Sequence, residues 1–162
     1  KIKSKISNIK LPLKRFEFKG KIEGRTIVDD YAHHPKAIKE TIKLGRLFLN
    51  EHPKYKRLIA IFQPHRFSRV SEFFIEFANE LAQADKIIIT NIYGAGEKNI
   101  NNISSSLIST EIFKLNKNVK IVKDSNEIRK YFNHLTREND LIINMGAGDC
   151  HDLWQILTNQ KN

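Results

Sequence analysis

The stretch IVDDYAHHPKAIKETIK, residues 27–43, changes its hydrophobic period within a few positions. An apolar run ends in two aspartates, a tyrosine and two adjacent histidines. Pro35 follows, at a place where the first turn of a helix tolerates proline. From there, apolar residues recur at helical spacing to about Asn50. The stretch therefore predicts a strand that gives way to a helix, with polar residues concentrated at the junction.

The same alternation of short apolar runs and helical periods continues to the end of the chain. Upstream of it, strand-like runs on either side of GKIEG, residues 20–24, predict an antiparallel hairpin. A helix capped by Ser68 or Ser71 is predicted to run to about Leu81. The other predicted strands are 57–62, 86–92, 119–122 and 140–145, and the other predicted helices are 103–116, 125–136 and 148–158.

Repeated strand–helix units of this kind predict the fold class. We expect a three-layer α/β domain with a mostly parallel, doubly wound sheet and right-handed crossovers. The continuous apolar runs 57–62, 86–92 and 140–145 are the expected central strands, and the hairpin adds an antiparallel edge near the N-terminus. In such sheets, ligands bind beyond the carboxyl ends of the strands. The polar junction in residues 27–43 is therefore expected at the functional edge.

Composition limits the class of protein. A length of 162 residues with 40% hydrophobic content suits one well-buried domain. No apolar run approaches the roughly 20 residues of a membrane span, and a single cysteine, Cys150, excludes an intrachain disulfide and fits a cytoplasmic location. The net charge of +10 invites a nucleic-acid interpretation, yet the lysines are scattered and no RNA-binding or zinc-finger spacing accompanies them. We expect neither nucleic acid nor membrane as a partner.

Arginines in the motif FQPHRFSR, residues 62–69, carry the sharpest chemical signal. Arg66 and Arg69 lie at the mouth of a predicted helix, where a cation opposes the helix dipole. Their placement is reasonable if an anion arrives, because arginine matches carboxylate and phosphate oxygens. The alternative is an ion pair with Glu72 or Glu76 of the same helix.

Other strand-end motifs are weaker. GAGD, at residues 146–149, supplies small residues before a predicted helix start, which suits either a turn or an anion. YGAGE, at residues 93–97, is likewise either a turn or a ligand-binding loop. Metal binding by the adjacent histidines is disfavoured, because neighbouring residues point to opposite sides of an extended chain; one histidine is expected to face a ligand and the other to fasten the loop. No Walker A sequence is present. The chain reads as part of an anion-binding active site without its phosphate loop.

These motifs together resemble the C-terminal domain of the Mur ligase family. DDYAHHP resembles the family's Asp-Tyr-(Gly/Ala)-His-His-Pro motif, and FQPHRFSR, IYGAGE and MGAGD resemble three further family motifs. The similarity runs from about Pro12 to the end, so residues 1–13 are expected to link to a missing central domain and residues 14–162 to form the C-terminal domain. The resemblance implies a Rossmann-like sheet. Gly94 and Cys150–His151 depart from the family pattern, which leaves the roles of Gly94 and Cys150 open.

The resemblance also implies an activity. The adjacent histidines together with QPHRFSR resemble the alanine-adding member of the family, which joins L-alanine to UDP-N-acetylmuramate in peptidoglycan biosynthesis. ATP phosphorylates the lactyl carboxylate, the amine of L-alanine attacks the acyl phosphate, and phosphate leaves. An N-terminal domain would hold the UDP-sugar, and a central domain would hold most of the ATP and Mg²⁺. The isolated chain is accordingly expected to fold but to catalyse nothing.

Residue roles follow from the same resemblance. Arg15, Asp30, Tyr31 and His33 match positions that contact the nucleotide, with His33 near the phosphates. Arg66 and Arg69 match arginines that face the reacting carboxyl and the incoming amino acid; these two and His33 are the expected catalytic residues. The substrate would also meet the backbone of Gly146, Ala147 and Gly148.

Two alternatives remain open at the level of sequence. One is the related ligase that recycles whole murein peptides, which shares the His-His-Pro sequence. The other is a freestanding anion- or nucleotide-binding module of the same fold.

Overall fold

The computed structural model describes residues 15–158. The strands are β1 (Glu17–Ile22), β2 (Arg25–Asp30), β3 (Arg57–Phe62), β4 (Lys86–Ile89), β5 (Val119–Ile121) and β6 (Asp140–Met145). The helices are α1 (Pro35–Glu51), α2 (Phe67–Leu81), α3 (Ser106–Leu115), α4 (Ser125–Leu135) and α5 (Leu153–Thr158), and a 3-10 helix (Asp149–Asp152) precedes α5. The linker predicted over residues 1–13 lies outside the described residues.

One six-stranded sheet has the order β1-β2-β6-β3-β4-β5. All neighbouring pairs are parallel except β1 with β2, which form the antiparallel hairpin. The predicted mostly parallel α/β fold with an antiparallel N-terminal edge is therefore confirmed. The three apolar runs expected in the centre, β3, β4 and β6, all lie inside the sheet.

The hairpin turn follows from backbone chemistry. Glu23 and Gly24, the two residues between β1 and β2, both have positive φ, at 45° and 77°. This is the combination that a type I′ turn requires, and its twist matches that of the flanking strands. The hairpin predicted around residues 20–24 is thus present, with a register shift between Phe18 and Gly20.

Two cores hold the three layers together. On one face, buried apolar residues of β2, β3, β4 and β6 pack against α1, α2 and α3. On the other face, Ile27, Ile59, Ile88 and Ile142 alternate with those residues and pack against α4 and α5. Because the side chains of a strand alternate between faces, a short run of isoleucine and leucine supplies both cores at once. None of the described helices is long and apolar enough to cross a membrane.

Several boundaries differ from the predicted ones. The helix predicted over 103–116 begins only at Ser106 and ends at Leu115, and β5 and α4 each end one residue before the predicted position. β4 ends at Ile89 rather than at 92, because Pro64 of the neighbouring segment has no N–H; the pairing resumes only as an isolated bridge between His65 and Tyr93. The helix predicted over 148–158 begins as the 3-10 turn Asp149–Asp152. Neither Ser68 nor Ser71 caps α2, since the helix begins at Phe67 with Arg66 in the cap position.

Candidate functional site

The carboxyl ends of the parallel strands gather the strand-end motifs along one edge of the sheet. We call this edge the rim; it comprises residues 30–34 after β2, 63–69 after β3, 90–97 after β4 and 145–149 after β6. Since β2, β6, β3 and β4 are consecutive in the sheet, the four segments lie side by side. The structure therefore brings the predicted motifs together at the end of the sheet where α/β proteins bind ligands.

Asp30 fastens the first rim segment. Its carboxylate oxygens accept hydrogen bonds from the backbone N–H groups of Phe16, at 2.9 Å, and Ala32, at 2.8 Å. The side chain is only 3% exposed. Its contacts are thus with the protein backbone, and they fix the chain on both sides of Tyr31. Arg15, one residue before Phe16, is exposed and is held at the same end of the sheet by this bond.

The adjacent histidines separate as expected from an extended backbone. His33 lies between Tyr31 and His65, with ring centroids 5.0 and 5.7 Å away. Its Nδ1 lies 2.8 Å from the Tyr31 carbonyl oxygen, which can only accept, so Nδ1 carries the proton. His34 instead packs against Phe73 of α2, with ring centroids 5.0 Å apart. One histidine therefore belongs to the rim and the other joins two helices.

His65 and its neighbours form the cationic part of the rim. Arg69 Nη1 donates to the backbone oxygen of His65 at 3.2 Å and also contacts its Nδ1 at 3.2 Å. The His65 ring also stacks on that of Tyr93. Partial burial of His65 lowers the pKa of its imidazole, and the nearby positive charges of Arg69, His33 and Arg66 lower it further. His65 is consequently neutral at pH 7 and accepts at Nδ1 from the arginine.

Arg66 is the more open of the two arginines. Its backbone has φ of 73°, and its N–H donates to the Tyr93 carbonyl at 2.8 Å. The side chain is half exposed and lies 4.0 Å from Glu97. Within residues 15–158 neither Arg66 nor Arg69 forms an ion pair with Glu72 or Glu76, so the predicted alternative within α2 is not what the structure contains.

Glu97 serves α2 in place of a local cap. Its carboxylate accepts from the backbone N–H of Ser68 at 3.0 Å and from the Ser68 hydroxyl at 2.7 Å. These two bonds lower the pKa of the Glu97 carboxyl. An anion at a helix N-terminus is stabilised by the free N–H groups there. Glu97 lies in a loop 29 residues further along the chain. The predicted cap by Ser68 or Ser71 is therefore wrong, because the capping acid is not local in sequence.

Gln63 clamps the GAGD turn after β6. Its Nε2 donates to Asp149 Oδ1 at 2.5 Å, and its Oε1 accepts from the Cys150 N–H at 3.1 Å. A Cβ at Gly148 would lie 2.5 Å from the same Oε1 and 2.6 Å from Tyr93 Cγ. Both glycines of the turn are packed this closely, because a Cβ at Gly146 would lie 2.7 Å from Cys150 Sγ. The glycines therefore allow three rim segments to touch.

Cys150 itself is a packing residue. It is buried, and this burial raises the pKa of its thiol to about 12, so the thiol is protonated at neutral pH. Its carbonyl accepts from Asn144 Nδ2 at 2.8 Å, and the same nitrogen donates to Asp29 at 3.0 Å. The departure from the family pattern at Cys150 thus fills space beside Gly146 and adds no reactive group.

Comparison with known proteins gives the family. The protein-family model described as "Mur ligase, glutamate ligase domain" matches residues 14–148 of the sequence. The chain belongs to the Mur ligase family. This Mur ligase chain is 58% identical over 165 residues to the UDP-N-acetylmuramate–L-alanine ligase of Prochlorococcus marinus subsp. pastoris, covering 99% of the chain and 35% of that protein. It is 42% identical to the enzyme of the same name from Caldanaerobacter subterraneus, and the match covers 94% of the chain and 32% of that protein.

Solved structures show the same fold. The UDP-N-acetylmuramate–alanine ligase of Thermotoga maritima matches 91% of this Mur ligase chain with a TM-score of 0.69 at 23% identity, covering 29% of that chain. A murein peptide ligase from Psychrobacter arcticus matches 93% with a TM-score of 0.70 at 19% identity, covering 31% of that chain. The chain spans about a third of the length of the curated relatives that it matches.

Sequence reasoning missed several residues that build this Mur ligase rim. Gln63 and His65 lie inside the FQPHRFSR motif, whose chemical signal comes from its arginines. Glu97 lies in the YGAGE motif, whose small residues predict a turn or a ligand loop and not a helix cap. Tyr93 and His151 carry no local signal for their ring contacts, because each partner ring comes from a different loop.

Proposed function

We propose that this chain is the C-terminal domain of a UDP-N-acetylmuramate–L-alanine ligase and that its rim completes the active site of the whole enzyme. The relative at 58% identity over nearly all of the chain supports the choice of substrate. The observation that carries the proposal is the arrangement at the rim: Arg66 and Arg69 stand beside neutral His65 at the carboxyl ends of the central strands. Mur ligases are ATP-dependent, and the ATP phosphates, the carboxylate to be activated and the carboxylate of the amino acid are all anionic.

Each cation has a distinct role in this proposal. Arg66, half exposed at the rim, would meet the carboxylate of the incoming amino acid or the acyl phosphate. Arg69 is oriented by its bonds to His65, so its guanidinium is placed before substrate arrives. Fixed donors of this kind stabilise the oxyanion that develops during acyl transfer, without reorganisation during the reaction. His33 and exposed Arg15 would lie on the nucleotide side, with Asp30 holding the loop between them.

The nucleotide and metal are assigned to different parts of the protein. Bound ATP supplies the phosphoryl group that activates the carboxylate, and the basic rim residues Arg15 and His33 suit its phosphates. Among residues 15–158 there is no group of three or more His, Cys, Asp or Glu that could hold a metal ion. From the resemblance to the family, the proposal assigns most of the ATP and the Mg²⁺ to a central domain of the full-length protein, and it expects the isolated chain to be inactive.

The first experiment compares the full-length protein with the 162-residue chain. Phosphate release is measured with ATP, Mg²⁺, UDP-N-acetylmuramate and L-alanine. We expect turnover by the full-length protein and none by the chain. In a parallel reaction, the tripeptide L-alanyl-γ-D-glutamyl-meso-diaminopimelate replaces L-alanine; a preference for the tripeptide would support a recycling ligase and contradict the proposal, as would turnover by the isolated chain.

The second experiment tests the arginines in the full-length protein. Losing one preorganised donor to a developing oxyanion typically costs roughly 3–4 kcal/mol, about a hundred- to a thousandfold in rate. We expect Arg66→Ala and Arg69→Ala to lower kcat or raise the KM for L-alanine on that scale, with little change in Tm. Lysine substitutions at the same positions separate charge from the two-pronged geometry of arginine.

Arg137→Ala is the matched control, because this exposed arginine precedes β6 at the opposite end of the sheet. It is expected to leave the kinetics unchanged. If Arg66→Ala and Arg69→Ala behave like Arg137→Ala, the rim is not where the reaction occurs.

A further inference from the structure

His151 lies beside the rim, although no motif of the family predicts it. It follows Cys150 in the 3-10 helix, directly after GAGD, where the sequence departs from the family pattern. Its ring stacks on that of Tyr31, with an interplanar angle of 12° and ring centroids 5.9 Å apart. This separation is within the range of offset-stacked aromatic pairs. The contact joins the segment after β6 to the segment after β2.

The support beneath His151 is rigid. The preceding residue, Cys150, is buried, its N–H donates to Gln63 and its carbonyl accepts from Asn144. The backbone of the 3-10 turn is therefore held by side chains from two different strand ends. The backbone from which the His151 ring projects is thereby fixed next to the segment that carries Tyr31.

Tyr31 needs such support because it is 41% exposed. Its backbone is fixed by the bonds of neighbouring Asp30, but an exposed ring can still rotate about its side-chain bonds. His33 contacts the ring from a second direction, with an interplanar angle of 75°. The two imidazoles therefore contact the Tyr31 ring from two directions.

We propose that His151 is a positioning residue that holds the Tyr31 ring in the orientation needed at the active site. The inference rests on the proposed ligase function, and it adds a residue that acts through Tyr31. Ordering one side chain in advance spares the bound state part of its entropy cost. That saving corresponds to roughly a two- to tenfold effect on the KM of the substrate that meets Tyr31.

A double-mutant cycle in the full-length enzyme tests this. Tyr31→Ala first identifies the substrate whose KM depends on the ring. His151→Ala is expected to raise the KM of that same substrate about two- to tenfold, with a smaller change in kcat. In the Tyr31→Ala background, His151→Ala should add nothing, because its route of action is gone. His151→Phe keeps a flat ring and should restore a KM near that of the wild type.

His52 gives the matched control. It also stacks on an aromatic ring, that of Phe48, but at the C-terminal end of α1, away from the rim. His52→Ala should leave each KM unchanged. Equal effects of His151→Ala with and without Tyr31, or no rescue by His151→Phe, would overturn the positioning role.

A second measurement does not depend on turnover. In NMR spectra of the 162-residue chain, the ring-current shifts of the Tyr31 ring protons should change in His151→Ala, where only the contribution of His33 remains, and should be largely kept in His151→Phe. Unchanged Tyr31 shifts in His151→Ala would refute the contact. If the wild-type enzyme fails to use L-alanine, the proposed function is wrong, and the NMR result still decides whether His151 orients Tyr31.

Discussion

Replacing Gln63 tests whether the rim is assembled by side chains that bond to the backbone. The amide of Gln63 connects the end of β3 to the turn after β6 through Asp149 and the Cys150 N–H. It is 8% exposed, so water cannot readily take its place. We consider Gln63→Ala, which removes both bonds, and Gln63→Glu, which keeps the acceptor and replaces the donor by an oxygen.

The two bonds contribute unequally. In Gln63→Ala the buried Cys150 N–H loses its acceptor, which costs about 1–3 kcal/mol. Asp149 is exposed, so solvent largely replaces its lost bond, and the removed methylene adds about 0.8 kcal/mol. We therefore expect Gln63→Ala to lower the free energy of unfolding by about 2–4 kcal/mol.

Gln63→Glu places a second carboxylate oxygen where an N–H donor now lies 2.5 Å from Asp149 Oδ1. Repulsion between like charges raises the pKa of the introduced carboxyl in the folded state, by on the order of 1–2 units. The pKa of this carboxyl is then higher in the folded chain than in the unfolded chain. The resulting contribution to stability is fully present below the unfolded-state pKa, and it is lost as pH rises through the folded-state pKa. The variant should therefore be close to wild type at about pH 4 and weaker by roughly 1.4–2.7 kcal/mol at pH 7.

Urea unfolding of the 162-residue chain, followed by the fluorescence of its single tryptophan, Trp154, measures both effects. Exposed Gln155 provides the controls Gln155→Ala and Gln155→Glu, which should stay within about 0.5 kcal/mol of wild type. The reasoning is refuted if Gln63→Ala matches Gln155→Ala. It also fails if Gln63→Glu shows the same pH dependence as Gln155→Glu.

Two further predictions concern the same turn. Gly148→Ala should destabilise the chain by about 1–3 kcal/mol, because the new Cβ would clash with Gln63 and Tyr93. In the control Gly96→Ala, the new Cβ meets nothing within 4 Å, so only the cost of the positive φ should appear. Thermal unfolding compares the two variants, and equal losses of stability would contradict the packing argument. The thiol of Cys150 should react with a thiol reagent only when the chain unfolds, and rapid labelling of the folded chain would contradict its burial. The free energy of unfolding should also fall as pH rises from about 9 towards 12, because the thiol ionises at lower pH in the unfolded chain than in the folded one. Cys150→Ala should lack this contribution to the fall.

The strands of the inner sheet could be predicted because their signal is local. Parallel strands covered on both faces are continuous apolar runs, and β3 and β6 have the predicted bounds, 57–62 and 140–145. The ends of other elements depend on distant groups. The N-terminus of α2 is capped by Glu97, from the loop after β4. Local sequence predicts a serine cap instead, because the acid is distant in sequence.

Much the same division applies to the candidate site. The motifs that meet at the rim could be predicted, because parallel strands present their carboxyl ends at one edge. The sequence could not tell which residue of a motif faces solvent and which bonds to the backbone. In DDYAHHP, Asp30 is buried against two N–H groups while Tyr31 is exposed, and their positions differ by one residue. Adjacent residues with opposite roles are the normal outcome of an extended backbone.

Asn144 is a polar residue buried at a position of the sheet where an apolar side chain would be more stable. It is fully buried in β6, where the neighbouring residues are apolar, and its Oδ1 has no hydrogen-bond partner among residues 15–158. An unpaired buried acceptor typically costs about 1–3 kcal/mol, so an apolar residue would suit the sheet better. The amide nitrogen explains why asparagine is present: it donates to Asp29 at the end of β2 and to the Cys150 carbonyl in the turn after β6. One side chain thereby fixes the two segments that carry Tyr31 and His151. A buried polar residue that lowers stability but fixes local geometry is typical of a functional site, and Asn144 therefore supports the proposal that the rim is the functional part of this domain.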